Sequence, residues 1–206
     1  MRQNQNQKIL RMVQLSMLLA LVVILQMIGV SVKIGPVPMT FTLVPIVIGA
    51  FLLGPVDGAI LGAAFGLVTA IMGMVGADPF TFMLWQEHPV FTFLICMIKA
   101  VCAGLGAGLI YNCLLKITKG KYVTPVTVIA SVAAPIINTG IFLIGMFVCF
   151  YDTLSEMALS DGRGVMAFAI FGLAGLNFVG EFLVNLVLSP AIVRIVSVVS
   201  KKISRK

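Results

Sequence analysis

Charged residues are scarce in this chain. Only 10% of its 206 residues are Asp, Glu, Lys or Arg, whereas 60% are hydrophobic. Soluble domains are about 25% charged and about 45–50% apolar, and a domain of this size cannot hide so much apolar surface in one core. A soluble enzyme and a disordered tail are therefore excluded. The net charge of +7 does not indicate nucleic-acid binding, because the basic residues flank apolar runs and form no patch. The pattern is typical of a polytopic membrane protein.

Residues for catalysis and metal binding are also missing. His88 is the single histidine, and the four cysteines (Cys96, Cys102, Cys113 and Cys149) lie in or beside apolar runs without C-x-x-C spacing, which favours packing over metal binding or disulfides. The sequence contains no G-x-x-x-x-G-K-[ST], H-E-x-x-H or G-x-S-x-G motif. We expect no enzymatic activity, no catalytic residues, no metal and no cofactor.

Apolar runs long enough, or nearly so, to cross a bilayer are what the sequence does contain. A bilayer needs about 20 apolar residues per helix. The chain is predicted to be a single all-α integral membrane domain, residues 1–206, with spans at about 13–32, 43–53, 58–74, 90–110, 125–150 and 165–193. The second run is short and carries Pro45, and Gly54-Pro55 predicts a tight turn after it. Six helices are the preferred count, and five the main alternative.

The basic residues predict the orientation. With both termini in the cytoplasm, 11 of the 14 lie inside, as the positive-inside rule expects. An odd number of spans would put one terminal basic cluster outside. The eleven are Arg2, Lys8, Arg11, Lys116, Lys119, Lys121, Arg194, Lys201, Lys202, Arg205 and Lys206.

Small residues recur at four-residue spacing on three predicted spans. Gly58, Gly62 and Gly66 form one row, and Gly104 and Gly108 form another. Such rows let helix backbones approach closely in lipid, so internal packing is the expected role. A similar face on the first span consists of Ser16 and Ala20, and that face either packs internally or docks a partner.

Polar side chains inside the predicted spans are the candidates for function. Lys99 and Glu181 lie mid-way along the fourth and sixth spans, where a charge costs roughly 2.5–3.5 kcal/mol. They either pair with each other or line an outward-facing polar cavity, and both can hold together. Asn177, Glu181 and Asn185 share one helix face by their i, i+4, i+8 spacing. Asn138 follows Pro135 in the fifth span, and we expect Asn138, Asn177 and Glu181 to line the cavity near Lys99.

Two segments are predicted as outer loops, at residues 34–42 and 76–89. The first contains Pro36 and Pro38 together with Thr40 and Phe41, and the second contains the only tryptophan, Trp85. Aromatic residues here either form an interfacial belt or close over a small ligand. In the second case Thr40, Phe41 and Trp85 contact the ligand.

The stretch at residues 35–62 resembles the substrate-binding S components of energy-coupling factor (ECF) vitamin transporters. The resemblance rests on Pro45-Ile-Val-Ile-Gly49 and on Gly54-Pro55-x-x-Gly58-x-x-x-Gly62, and extends to residues 138–142, 175–178 and 188–190. It covers about residues 11–194. It implies a multi-pass protein of the bacterial cell membrane that captures a vitamin from outside with high affinity.

The resemblance also implies partners and site residues. Transport needs a transmembrane coupling subunit and two ATPase subunits, so ATP hydrolysis belongs to other chains. Ser16 and Ala20 match the family's docking face, and the loop at about residues 33–42 matches its gate. Pantothenate is the preferred vitamin, because residues 49–66 most resemble the pantothenate-type and generic members of the family. Its carboxylate, amide and hydroxyls also suit Lys99, Asn138 and Asn177. Folate, riboflavin, pyridoxine and cobalamin stay open, as do a self-sufficient ion-coupled transporter and a structural membrane subunit that binds nothing.

Overall fold

A computed structural model describes residues 2–29 and 41–204, with side chains for all of these except 2–6, 176–177, 197 and 199–204. Every regular element in these ranges is a helix. Five are long and apolar enough to cross a membrane (Gln7–Gly29, Pro55–Met74, Pro89–Ile117, Val123–Cys149 and Val165–Val196), and Leu43–Leu52 is a shorter apolar helix. The all-α membrane fold is confirmed, with five helices long enough to cross, and the second apolar run forms only a short helix, in line with its predicted shortness. The orientation of the termini stays a prediction.

The helices run in the following order along the chain. They are α1 (Arg2–Gly29), α2 (Leu43–Leu52), α3 (Pro55–Met74), α4 (Pro79–Glu87), α5 (Pro89–Ile117), α6 (Val123–Cys149), α7 (Tyr151–Asp161), α8 (Val165–Ala167), a π-helical segment (Phe168–Gly175) and α9 (Leu176–Ser204). The turn predicted at Gly54-Pro55 is confirmed. Gly54 has φ +112°, a conformation that favours glycine, and Pro55 starts α3 with its φ already suited to a helix.

Helices α3 and α5 are in the closest contact, through the predicted glycine rows. A Cβ on Gly62 would lie 2.2 Å from the carbonyl oxygen of Ala100, and one on Gly104 would lie 2.1 Å from that of Gly58. Gly58 thus faces Gly104, whereas the later residue Gly62 faces the earlier residue Ala100. The two helices are therefore antiparallel. The glycine rows are therefore internal packing surfaces.

The prediction that residues 76–89 form an outer loop is wrong in one respect, because residues 79–87 form helix α4. Asp78 precedes it as the N-cap, with Oδ1 accepting a hydrogen bond of 3.2 Å from the Phe80 amide, and Pro79 occupies the first turn. An acidic N-cap followed by proline is a helix-start signal. The chain after α6 likewise forms a helix, α7, which packs Leu154 and Ala158 into the core beside Phe80 and Phe150.

An ion pair fixes α1 to the start of α3. Arg11 Nη2 lies 2.7 Å from Asp57 Oδ2, and the Asp57 side chain is only 4% exposed. The predicted orientation puts both residues near the cytoplasmic face, so the pair marks that end of the bundle.

Candidate functional site

A polar cavity lies at the other end of the bundle. Thr69, on its wall, follows Asp57 by 12 residues on α3, which corresponds to about 18 Å of helix rise. The cavity has a volume of about 50 Å³, below the ~300–1,000 Å³ typical of small-molecule sites, so its walls would have to move apart to admit a vitamin. Its polar walls carry Gln26, Thr69, Asp78, Thr81, Thr92, Cys96, Lys99, Asn138, Thr139 and Glu181, and its apolar walls carry Phe65, Phe80, Leu84, Ile95, Phe142, Leu173 and Ala174.

Three of the residues predicted from the sequence line this cavity together. Lys99, Asn138 and Glu181 come from α5, α6 and α9. Phe41 and Trp85 are half-buried but do not line it. Thr40 and the side chain of Asn177 lie outside the described residues. The gate predicted at 33–42 also lies outside them, except for Phe41 and Thr42.

Lys99 brings a positive charge to the cavity wall. Its Nζ lies 5.1 Å from the centroid of the Phe142 ring, a cation–π distance. The ion pairs between described residues are Arg11–Asp57 and Arg163–Asp161, so the structure contains no ion pair between Lys99 and Glu181.

The acidic and amide groups of the cavity differ in how they are bonded. Asp78 caps α4 and accepts a hydrogen bond from Thr81 Oγ1. Asn138 is 5% exposed, and its Oδ1 receives no hydrogen bond from the part of the chain that the structure describes. A buried carbonyl oxygen left without a donor costs about 1–3 kcal/mol. A ligand donor at this position would remove that cost.

The sequence reasoning missed Gln26, Thr69 and Thr81 as cavity residues, and it placed Asp78 only in an outer loop. Gln26 is uncharged and lies in the apolar run of the first span, so only its buried hydrogen bonds distinguish it. Within the described ranges, no group of three or more His, Cys, Asp or Glu side chains is arranged to hold a metal ion.

A family model for the substrate-specific component of the ECF transporter matches residues 10–199. The chain belongs to this family. No curated protein matches the sequence. The chain is thus a multi-pass substrate-binding subunit of an ECF transporter rather than an enzyme, as the sequence resemblance implied. The buried polar cavity is the candidate for this S component's substrate site.

Proposed function

We propose that this S component captures a water-soluble vitamin that bears a single carboxylate, with pantothenate as the first candidate. The observation that carries the proposal is the positive charge of Lys99 on the wall of a mostly enclosed cavity, with the Phe142 ring as its described partner. A charge in such surroundings requires a partner. A ligand carboxylate would supply it, with a charge-assisted hydrogen bond.

The rest of the cavity suits the body of pantothenate. Asn138 Oδ1 offers an acceptor for a ligand hydroxyl or amide N–H, and threonine hydroxyls lie on several walls. Asp78 and Glu181 also place carboxyl groups on the cavity wall. Carboxyl groups that share a site disfavour one another's charged form, so a second carboxylate on the ligand is disfavoured. This argument ranks pantothenate above folate, while riboflavin, pyridoxine and cobalamin lack the carboxylate that Lys99 would bind.

Asn177 stays a proposed ligand contact by its helical spacing from Glu181. The predicted contacts from Thr40, Phe41 and Trp85 stay proposals as well. For uptake we propose that the chain docks, through the face of Ser16 and Ala20, on a transmembrane coupling subunit that works with two ATPases.

A binding screen of the purified chain tests this proposal. Thermal shift and calorimetry are run with pantothenate, folate, riboflavin, pyridoxine and cobalamin. A ligand present at 100 times its Kd stabilises the folded state by about 2.7 kcal/mol, so pantothenate is expected to raise the Tm clearly. Binding of another vitamin alone would overturn the choice of pantothenate, and a blank across the panel with folded protein would contradict vitamin capture.

A self-sufficient ion-coupled transporter is the second candidate, favoured by the charged residues Lys99 and Glu181 within the spans. Liposomes containing this chain alone separate the two candidates. An S component binds its vitamin but accumulates none without ATP and partners, whereas an ion-coupled transporter accumulates it when an ion gradient is applied.

A further inference from the structure

Gln26 is a buried amide on α1 held by neighbours on two other parts of the chain. It is 3% exposed and lines the cavity. Its Nε2 donates to Thr69 Oγ1 on α3 at 3.1 Å, and its Oε1 accepts from Thr42 Oγ1, just before α2, at 3.0 Å. Thr69 Oγ1 in turn donates to the carbonyl oxygen of Phe65 at 2.9 Å.

These bonds fix which end of the amide is the donor. A hydroxyl has one proton, and Thr69 uses its own on the Phe65 carbonyl. Thr69 can therefore only accept from Gln26, so the atom facing it must be the NH₂ group. The carbonyl end of the amide is then left for Thr42, which donates to it. After an amide flip, Oε1 would face Thr69 Oγ1 as acceptor against acceptor, whereas the Thr42 hydroxyl could still accept from Nε2, so the Thr69 contact decides the orientation.

These hydrogen bonds leave one N–H donor of the Gln26 amide to be considered. Nε2 carries two N–H donors, and one acceptor, Thr69, is bonded to it among the described residues. We propose that Gln26 is a specificity-determining residue that donates this second N–H to an oxygen of the bound substrate. Since Gln26 is buried and its amide is held at both ends, little entropy is lost when the ligand binds.

This inference rests on the proposed function and narrows the substrate class. In this scheme Lys99 binds an anionic group of the ligand, and Asn138 Oδ1 accepts a hydrogen bond from a ligand donor. The Gln26 N–H donates a hydrogen bond to a neutral oxygen of the ligand. The substrate is then a monocarboxylate with both a neutral oxygen acceptor and a hydroxyl or amide donor. A ligand that lacks the neutral acceptor would leave the Gln26 N–H buried and unbonded, which such sites reject strongly.

The test compares Gln26→Met with Ser131→Ala in the purified chain. Methionine keeps the length of the side chain without its amide. Ser131 is also buried and donates a hydrogen bond to the carbonyl oxygen of Thr127, but it does not line the cavity, so Ser131→Ala loses a buried hydrogen bond and leaves the Nε2 donor in place. The probes are pantothenate and pantothenol, in which a hydroxymethyl group replaces the carboxylate. We expect Gln26→Met to weaken binding of both probes by the same factor, at least tenfold, and Ser131→Ala to change either by less than threefold.

A purely structural network would give a different result. Both variants would then lower the Tm, and Gln26→Met would change the Kd no more than Ser131→Ala does, which would overturn the inference while leaving pantothenate capture intact. If the wild-type chain binds no vitamin, both the inference and the proposed function fail. Should Gln26→Met not fold, Gln26→Glu keeps the length and the acceptor for Thr42 but lacks the N–H donor. Pantothenol, whose neutral hydroxymethyl group a new carboxylate does not repel, is then the probe, and its affinity should fall at least tenfold.

Discussion

Lys99 lines the cavity without a carboxylate partner among the described residues. Its proposed role in binding the ligand carboxylate can therefore be tested separately from a role in an ion pair within the protein. We expect Lys99→Met to weaken pantothenate binding at least tenfold and to leave pantothenol binding within threefold, because only the carboxylate interacts with the ammonium. Calorimetry with the two ligands measures this difference. Equal losses for both ligands would show that Lys99 does not bind the carboxylate.

The same variant tests the ion pair that the sequence left open. Removing one partner of a buried ion pair costs about 3–5 kcal/mol. Since Lys99 contacts the Phe142 ring instead, we expect the Tm of ligand-free Lys99→Met to equal or exceed that of the wild type. A large drop in Tm would show that Lys99 is paired with an acidic residue in the membrane.

The cavity residues that could be predicted from the sequence are polar residues within apolar spans. Lys99, Asn138 and Glu181 stand out because charges and amides are costly inside a span, and all three line one cavity. Gln26 was missed because its place among apolar neighbours gives no periodic signal. Its role depends on contacts with Thr42 and Thr69, 16 and 43 positions away in sequence, and such contacts cannot be deduced from local spacing.

At the scale of elements, the contact between α3 and α5 leaves no room for a side chain at Gly62. We expect Gly62→Ala to destabilise the protein by about 1–3 kcal/mol, because the added methyl group would meet the Ala100 backbone rather than a flexible side chain. For a chain of this size each kcal/mol lowers the Tm by about 2–4 °C, so thermal unfolding in detergent measures the effect. Gly140→Ala is the control, since its Cβ would meet nothing within 4 Å, and an equal loss there would contradict the packing argument.

The elements themselves were predictable to different extents. Long apolar runs located the spans, and the glycine rows indicated which faces meet. Helix α4 was predicted as a loop because its nine residues are too few to span a bilayer, although Asp78-Pro79 carries a helix-start signal. The π-helical turns at Phe168–Gly175 lie in a run that reads as one continuous helix. Hydrophobicity alone does not distinguish i→i+5 from i→i+4 bonding.

For the whole molecule, the proposed sites for substrate binding and for partner docking lie on different parts of the bundle. The cavity lies at one end, and the Arg11–Asp57 pair holds α1 against α3 at the other. Along α1, Ser16 and Ala20 lie between that pair and Gln26, and both are exposed in the part of the chain that the structure describes. A partner can therefore contact this face of α1 without entering the cavity, so binding and docking should be separable by mutation.

Ala20→Trp tests that separation. We expect it to leave the Kd for pantothenate unchanged but to abolish ATP-dependent uptake by liposomes that contain the chain with its coupling subunit and ATPases, because an indole would prevent close approach of a partner helix. Leu21→Trp is the matched control. Leu21 is also exposed, at 42%, but lies about 100° further round the helix, and its variant should still transport. Normal uptake by Ala20→Trp would show that docking uses another surface, and lost vitamin binding would show that α1 shapes the cavity through this face.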